Sequence, residues 1–209
     1  MKDFMKPWLL DILACPLDKY FPLKLYVFSY ETTPEEFKEL LNIRVSPELA
    51  KKEKIVEIIS ESGKLYLKDN LIIERNTIET YLNQIVSSIK EMDNIIDKSS
   101  NEYSKQCLST IQSEVKMKIE NFSRNIKVDQ IEKLLPELVF LNKIKIETEI
   151  ESGLLFCEKC LRWFPIIETI PQMLPDEYRD KKKEIEFLKT NKNLLEDEFF
   201  KQDLKPFKI

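Results

Sequence analysis

The residues best suited to chemistry are cysteines near the two ends of the chain. Cys157 and Cys160 are separated by two residues in the segment LLFCEKCLRWF. This C-x-x-C spacing lets two thiolates reach one metal ion across a tight turn. Cys15 and Asp18 have the same spacing in CPLD near the start. If the two ends fold together, three thiolates and one carboxylate could surround a single structural Zn²⁺ in tetrahedral geometry.

Other interpretations of these residues stay open at this point. Asp18 could cap a turn while Cys15 is buried, and Cys157 and Cys160 could be free or joined in a disulfide. A carboxylate is a less usual fourth zinc ligand than cysteine. A thioredoxin-like redox role is disfavoured, because that motif lies near a βαβ pattern and none is visible. Cys107 follows the spacing of a helical apolar stripe, which predicts an inert core thiol.

The chain carries little that could support catalysis of its own. It has no histidine and only two glycines, so it has neither an imidazole base nor a Gly-rich phosphate loop. Carboxylates are abundant, but on predicted helices they mostly fall on solvated faces. We therefore predict that the protein is not an enzyme.

Composition narrows the possible partners and the compartment. The 209 residues are 43% hydrophobic with a net charge of -4, which favours a packed fold and gives no overall attraction for nucleic acid. No apolar run approaches the ~20 residues that span a bilayer. The N-terminal segment lacks the apolar core and the cleavage site of a signal peptide. We expect a cytoplasmic protein with no membrane partner.

The middle of the chain, about 33–144, has the periodicity of helices. An apolar stripe over 78–96 follows a predicted capping box in NTIE, and a second stripe over 108–122 predicts the other arm of a helical hairpin. TPEEFKELLN and SPELAKKEKIVEII each begin with a cap residue followed by proline, which predicts two helices upstream. A further helix over 129–144 should be kinked at Pro136. GKLYLKDNLIIE could include a short strand pair.

The two ends of the chain have the composition of strands. PLKLYVFSY and IETEIESGLLFC are rich in β-branched and aromatic residues, and the prolines of RWFPIIETIPQML favour an edge strand. FMKPWLLDIL predicts a short helix with Trp8, Leu9 and Ile12 on one face. One small domain is thus assembled from both termini, with the helices inserted between its first and second strands.

The segment FPIIETIPQML, residues 164–174, carries more apolar surface than a small domain can readily bury. We predict that it contacts a partner, together with Leu9, through Phe164, Ile166, Ile167, Ile170, Met173 and Leu174. The amides between its prolines could add to another sheet by β-augmentation, and a flexible methionine suits a surface that fits several partners. Alternatively, these side chains close the small core and pack on Trp8 and the insert.

Two terminal segments resemble a known family. LLDILACPLDKYFPLKLYVF and ESGLLFCEKCLRWFPIIETIPQMLPDE are similar to the small activator subunit shared by tRNA, rRNA and release-factor methyltransferases, in its archaeal form with a helical insert. The likeness covers residues 1–28 and 146–178. NIRVSPELAKKEKIVEII also resembles the start of the insertion in longer members. The chain departs from the four-cysteine pattern at Asp18, which leaves the metal open and the fold unaffected.

The resemblance implies an α+β fold with a zinc-ribbon-like domain of one helix and an antiparallel sheet, built from residues 1–32 and 145–180. An all-helical insert would span 33–144, and a helical tail 181–209. Family members do not catalyse. They form heterodimers with several class I methyltransferases, which bind S-adenosylmethionine themselves, and they keep these enzymes stable and active. Contact with RNA would be only indirect.

A nucleic-acid-binding zinc-ribbon module is the second hypothesis. Lys159 and Arg162 lie beside Trp163, and a cation next to an exposed aromatic side chain suits single-stranded bases. Three consecutive lysines, 181–183, add a local basic run. The surrounding segment is charge-balanced and periodic, however, which favours a solvated face of a tail helix.

Overall fold

The computed structural model describes residues 4–61 and 63–209, which form a mixed α/β fold. The helices are α1 (Pro34–Val45), α2 (Pro47–Glu53), α3 (Ile78–Met92), α4 (Glu102–Thr110), α5 (Lys116–Arg124), α6 (Leu135–Glu147), α7 (Lys181–Thr190) and α8 (Asp197–Lys201). The strands are β1 (Lys24–Tyr30), β2 (Glu57–Glu61), β3 (Lys64–Lys68), β4 (Asn76–Thr77), β5 (Ile95–Asp97), β6 (Ile150–Cys157), β7 (Arg162–Ile167) and β8 (Ile170–Pro171). Within the described residues, no helix is long and apolar enough to cross a bilayer.

The chain divides into two compact units. The terminal unit comprises Met1–Glu31, Asn94–Glu102 and Glu149–Ile209, and the inserted unit comprises Thr32–Asp93 and Tyr103–Thr148. The terminal unit therefore takes residues from both ends of the chain and a short piece from the middle.

A five-stranded sheet forms the centre of the terminal unit, in the order β5-β1-β6-β7-β8. Neighbouring strands are antiparallel except β5, which runs parallel to β1. Strands from both ends of the chain thus join one sheet, as the sequence predicted. The predicted edge strand in RWFPIIETIPQML is instead two strands, because Glu168 and Thr169 adopt positive φ angles and turn the chain.

The C-terminal segment covers the terminal sheet through a buried cluster. Side chains of β1, β6 and β7 meet side chains that follow residue 180 in the sequence. The buried members of the cluster are Phe28, Leu154, Phe156, Trp163, Leu188, Leu195, Phe199 and Leu204. The tail is therefore part of the core of this unit and is more than a solvated helix.

The N-terminal helix was predicted with the wrong face. Pro7–Asp11 forms a 3-10 turn, in which side chains repeat every three residues. Leu10 is consequently buried, and Ile12 is 65% exposed. Trp8 and Leu9 are partly buried.

The caps of the first two helices were predicted correctly. The Thr33 hydroxyl accepts from the Glu36 amide, and the Glu36 carboxylate accepts from the Thr33 amide. Ser46 caps α2, which begins with Pro47. The helix predicted in SPELAKKEKIVEII ends early, because Lys54 adopts a left-handed conformation.

The prediction of an all-helical insert was wrong. A three-stranded sheet, β2-β3-β4, follows α2, and its β-branched residues favour strand over helix. The cap of α3 is Thr77, not Asn76, since Asn76 pairs with Leu67 in the sheet. The stripe of α3 is buried as predicted, but it stops at Met92 and Ile96 lies in β5.

Pro136 lies in the first turn of a helix and does not kink one. The predicted helix over 129–144 is a 3-10 segment, Val128–Leu134, followed by α6. Proline is favoured in the first turn, where its missing amide would have no partner.

The close approach of β1 and β6 at Gly153 can be tested by substitution. A Cβ atom at this position would lie 2.6 Å from the Tyr26 carbonyl oxygen, a backbone atom that cannot move away alone. We expect Gly153→Ala to lower the free energy of unfolding by about 1–3 kcal/mol, as overpacking does. Glu151→Ala, at an exposed site of the same strand, should change it by less than about 0.5 kcal/mol. Equal stability of both variants in urea titrations would contradict the close approach.

Candidate metal centre and apolar surface

Two turns of the same geometry bring the candidate ligands together. The Cys15 carbonyl accepts from the Lys19 amide and the Cys157 carbonyl accepts from the Leu161 amide, both at 2.9 Å. Lys19 and Leu161 both have φ 58°, a left-handed conformation. Each turn therefore presents its first and fourth side chains to the same side. Asp18 occupies in the first turn the position that Cys160 occupies in the second.

The four predicted ligands meet at one point. Atoms of Cys15, Asp18, Cys157 and Cys160 that can bind a metal all lie within 4.8 Å of one another. The Cys15 and Cys160 sulfurs are 3.7 Å apart, and the Cys157 sulfur lies 3.7 Å from Asp18 Oδ1. Three sulfurs and one carboxylate oxygen at these separations fit the donor set of a zinc ion. The residues that the sequence placed together are thus together in the structure.

Burial opposes the ionisation of the Cys15 and Cys157 thiols. Burial raises the pKa of Cys157 to about 12 and also raises the pKa of Cys15. Burial opposes the charge on Cys160 as well, but hydrogen bonds from Arg162 lower its pKa. Metal binding would therefore have to release protons, at least from the two buried cysteines.

The position of Asp18 is compatible with both roles that the sequence left open, capping of the turn and binding of a metal. Burial disfavours its charge, but the Tyr20 amide donates to Asp18 Oδ1 at 3.0 Å, and the pKa of the carboxyl is lowered. The second carboxylate oxygen faces the Cys157 sulfur at 3.8 Å. Capping the turn and completing the ligand set are therefore compatible.

The remaining cysteine lies away from this centre. All four cysteines are free thiols in the structure. Cys107 is buried in the inserted unit, with its sulfur 3.6 Å from the Phe37 carbonyl oxygen. Burial raises its pKa to about 12, so this thiol is unreactive at neutral pH.

The predicted partner surface separates into a buried and an exposed part. Phe164 and Ile166 are fully buried, so neither side chain is presented to a partner. Leu9, Ile167 and Met173 are partly buried. Ile170 and Leu174 are 53% and 44% exposed.

The outer edge of β7 is already paired. Gln172 donates its amide to the Pro165 carbonyl at 2.8 Å, and Ile170 pairs with Ile167. Farther along, the Trp163 amide donates to the C-terminal segment. The expectation of free amides for β-augmentation therefore does not hold along this edge in the isolated chain.

Sequence reasoning missed the residues that hold residues 170–178, the exposed strip, in place. Arg162 donates two hydrogen bonds to Asp176 Oδ2, at 3.1 and 2.9 Å. Arg179 is buried, lies over the Trp163 and Phe164 rings at 5.3 and 5.1 Å, and pairs with Glu184. The alternation of acidic and basic residues over 176–184 was the only available signal, and it is also typical of solvated helices.

The structure weakens the basis of the nucleic-acid hypothesis. Trp163 is fully buried, and its indole nitrogen donates to the Phe207 carbonyl at 3.1 Å. The Arg162 guanidinium is bound to Asp176. The exposed aromatic side chain beside a free cation, which stacking with bases requires, is therefore missing at this position.

Comparison with known proteins identifies one family. The family model described as Trm112p-like protein matches residues 6–168. No curated protein and no solved structure matches the chain. The matched range includes both turns of the metal centre and ends before the C-terminal segment.

The composition of the ligand set leads to a test at Asp18. Asp18→Cys should tighten metal binding at least about tenfold, and Asp18→Ala should weaken it by a similar factor, because the variants add or remove a strong ligand. Competition with a chromophoric chelator for Zn²⁺ and Co²⁺ measures both. Glu158→Ala, an exposed neighbour paired with Lys24, is the matched control and should not change affinity. A wild-type chain that binds neither metal would contradict the site.

Proposed function

The chain belongs to the Trm112p-like family, and from this we propose that it is a non-catalytic activating and stabilising subunit of class I S-adenosylmethionine-dependent methyltransferases. The family resemblance seen in the sequence is thereby confirmed, whereas the archaeal form stays a prediction. The substrates of the enzymes are tRNA, rRNA or a translation release factor. The catalytic partner binds S-adenosylmethionine, and this chain forms a heterodimer with it.

The exposed apolar strip is the observation that carries this proposal. Residues 170–178 follow β7 on the surface of the terminal unit, and Ile170, Leu174 and Tyr178 are 53%, 44% and 72% exposed. Large apolar side chains exposed this close together in sequence favour an interface. Partly buried Leu9, Ile167 and Met173 extend the proposed surface, and the flexible methionine suits several alternative partners.

Side-chain contacts order the strip of residues 170–178 in the free chain. Arg162 anchors Asp176, and Arg179 binds Glu184 and the Trp163 carbonyl. A surface that is ordered in the free subunit loses less conformational entropy on binding. We propose that this order supports tight association with a folded methyltransferase.

The contribution to catalysis would be thermodynamic. A subunit that binds the folded enzyme and not the unfolded one stabilises it by mass action, by about 2.7 kcal/mol at a hundredfold excess over Kd. The chain itself has no histidine and no Gly-rich loop, so we assign it no step of the methyl transfer. Contact with RNA would be indirect, and the cytoplasmic location remains a prediction.

The terminal unit would be zinc-ribbon-like, with residues 1–32 and 145–180 as its family core, 33–144 as an insert and 181–209 as a tail. The two matching turns support this description. Zinc held by Cys15, Asp18, Cys157 and Cys160 would supply a cross-link between distant parts of the chain. It would take no part in the reaction.

Charged substitutions in the strip test the proposal. Ile170→Glu and Leu174→Glu should each reduce co-purification of the methyltransferase at least about tenfold, because a buried unpaired charge disfavours the complex. Tagged chains expressed in the native cell and mass spectrometry of the retained proteins provide the measurement. Glu177→Gln, exposed in the same strip, is the control.

A folding control and two further outcomes separate the activating subunit from the nucleic-acid-binding module. Circular dichroism should show that both variants stay folded, since the replaced side chains are exposed. Retention of the methyltransferase by both variants would contradict the strip as the interface. Tight RNA binding by the isolated chain at moderate salt, with no methyltransferase present, would favour the nucleic-acid-binding module.

A further inference from the structure

The sheet of the inserted unit ends in a strand with a free edge. β2 is the last strand in the order β2-β3-β4, and its end Glu61 pairs with Lys64 of β3. A hairpin with two residues between its paired ends closes on a hydrogen-bonded pair, and the pairs then alternate. The amides of Ile58 and Ser60 therefore point away from β3. Within residues 4–61 and 63–209, neither amide donates a hydrogen bond.

Charge is distributed along β2 in a regular pattern. The strand reads EIISE and its partner β3 reads KLYLK. Glu57 pairs with Lys68 and Glu61 with Lys64, so both ends of the ladder join opposite charges, and apolar residues meet between them at Ile59. Cross-strand pairs of this kind stabilise a sheet. β3 thus shows which strand pattern complements β2.

The two glutamates of β2 can each accept a further cation. Glu57 Oε1 lies 3.1 Å from Lys68 Nζ, and Glu61 Oε2 pairs with Arg75. The glutamate side chains nevertheless remain 55% and 60% exposed. A carboxylate has two acceptor oxygens, and these contacts engage one oxygen of each. The free side of β2 is therefore acidic at both ends.

An apolar groove of about 290 Å³ adjoins β2. Ile55, Val56 and Ile58 line one part of it, and Leu135 and Val139 line another. Leu135 and Val139 are buried, whereas the other three are half-buried. Directly opposed residues of neighbouring strands share a face of the sheet. A strand added to β2 would therefore direct the side chain opposite Ile58 towards the groove.

The charges of β2 disfavour a second copy of this chain as the added strand. Antiparallel pairing of two copies over all five residues would set Glu57 of each copy opposite Glu61 of the other. Like charges directly opposite each other destabilise a ladder. The same carboxylates favour a strand with basic residues at these two positions.

We infer that the free edge of β2 binds an extended basic segment of another protein. The segment runs antiparallel to β2, with lysine or arginine opposite Glu57 and Glu61 and apolar side chains opposite Ile58 and Ile59. Its pattern, basic-x-apolar-apolar-basic, is the one that β3 already has. This edge belongs to the inserted unit, whereas the strip of residues 170–178 belongs to the terminal unit. The inference therefore does not rest on the proposed function.

Two terms contribute to such a complex. Main-chain hydrogen bonds to the edge supply affinity, and the side chains supply the choice of partner. Because both carboxylates are largely exposed, salt screens their attraction for a basic segment. Preference for a basic over an acidic strand should thus fall as the salt concentration rises.

The synthetic peptide GKLYLKG tests the edge on the full chain. It should bind with a Kd below about 1 mM, and GELYLEG should bind at least about tenfold more weakly. Fluorescence anisotropy of the labelled peptides measures both affinities, and the difference should shrink at high salt. No binding of GKLYLKG at up to about 1 mM, or equal binding of the two peptides, would overturn the inference.

Amide hydrogen exchange locates the bound peptide. Saturation with GKLYLKG should slow exchange of the Ile58 and Ser60 amides at least about tenfold, because these amides gain acceptors. The Ile59 amide, which faces β3, should change little. Protection that appears on other strands and spares Ile58 and Ser60 would overturn the inference.

A proline at Ser60 removes one outward amide. Proline is tolerated on an edge strand where its nitrogen faces solvent, so the hairpin should remain. Ser60→Pro should weaken binding of GKLYLKG at least about tenfold, because a ladder hydrogen bond is lost and the ring obstructs the edge. Ser60→Ala keeps the amide and is the matched control, with unchanged binding expected. Equal affinities of the two variants would contradict binding at this edge.

A second variant covers the case in which Ser60→Pro does not fold. Replacement of Glu57 and Glu61 together by glutamine changes only exposed side chains. This variant should bind GKLYLKG and GELYLEG with equal affinity, and a preference that persists would overturn the inference. Sedimentation of the unmodified chain tests the other occupant. A dimer that Ser60→Pro converts to a monomer would show that a second copy fills the edge, and would overturn the assignment to a basic partner.

Discussion

Antiparallel pairing of β1 with β6 is the constraint on which the terminal unit depends. In such a pair, the residues before one strand lie beside the residues after the other. The pairing of Lys24 with Phe156 therefore sets the turn that precedes β1 next to the turn that follows β6. Cys15 and Asp18 meet Cys157 and Cys160 for this reason, although about 140 residues separate them in sequence. Closing so long a connection is unfavourable in entropy, but the cost grows only slowly with length.

The same sheet explains the role of the tail. Its strands bring Phe28, Leu154, Phe156 and Trp163 to one face, and residues beyond the family match cover that face. Edge-to-face contacts of Phe199 with Tyr26 and Phe156 add to the burial. The terminal unit completes part of its own core in this way and still leaves apolar side chains exposed. Part of this exposed apolar surface is the strip of residues 170–178, where Ile170 and Leu174 are exposed.

Local signals made part of this structure predictable. Thr33 and Ser46, each followed by proline, marked two helix starts, and the C-x-x-C and C-x-x-D spacings pointed to four side chains that do lie together in the structure. What failed depended on distant partners. Ile96 continues the helical spacing of the preceding residues, which predicted a helix. It lies instead in β5, which forms by pairing with the distant strand β1. Phe164 and Ile166 were expected at an interface but are buried, because local composition does not show which side chains of β7 the rest of the terminal unit covers.

The parallel strand β5 gives the insertion an unusual relation to its host. A single insertion could be excised and its ends rejoined without disturbing the sheet around it. Here the chain passes from β1 into the inserted unit and returns to the terminal unit as Asn94–Glu102, which contains the edge strand β5. It then enters the inserted unit a second time before β6. The inserted unit is therefore two loops and not one, and excision of 33–144 as a block would remove a strand of the host. During synthesis, both strands of this parallel pair leave the ribosome before β6, and Cys157 and Cys160 of the candidate metal centre follow only at the end of β6.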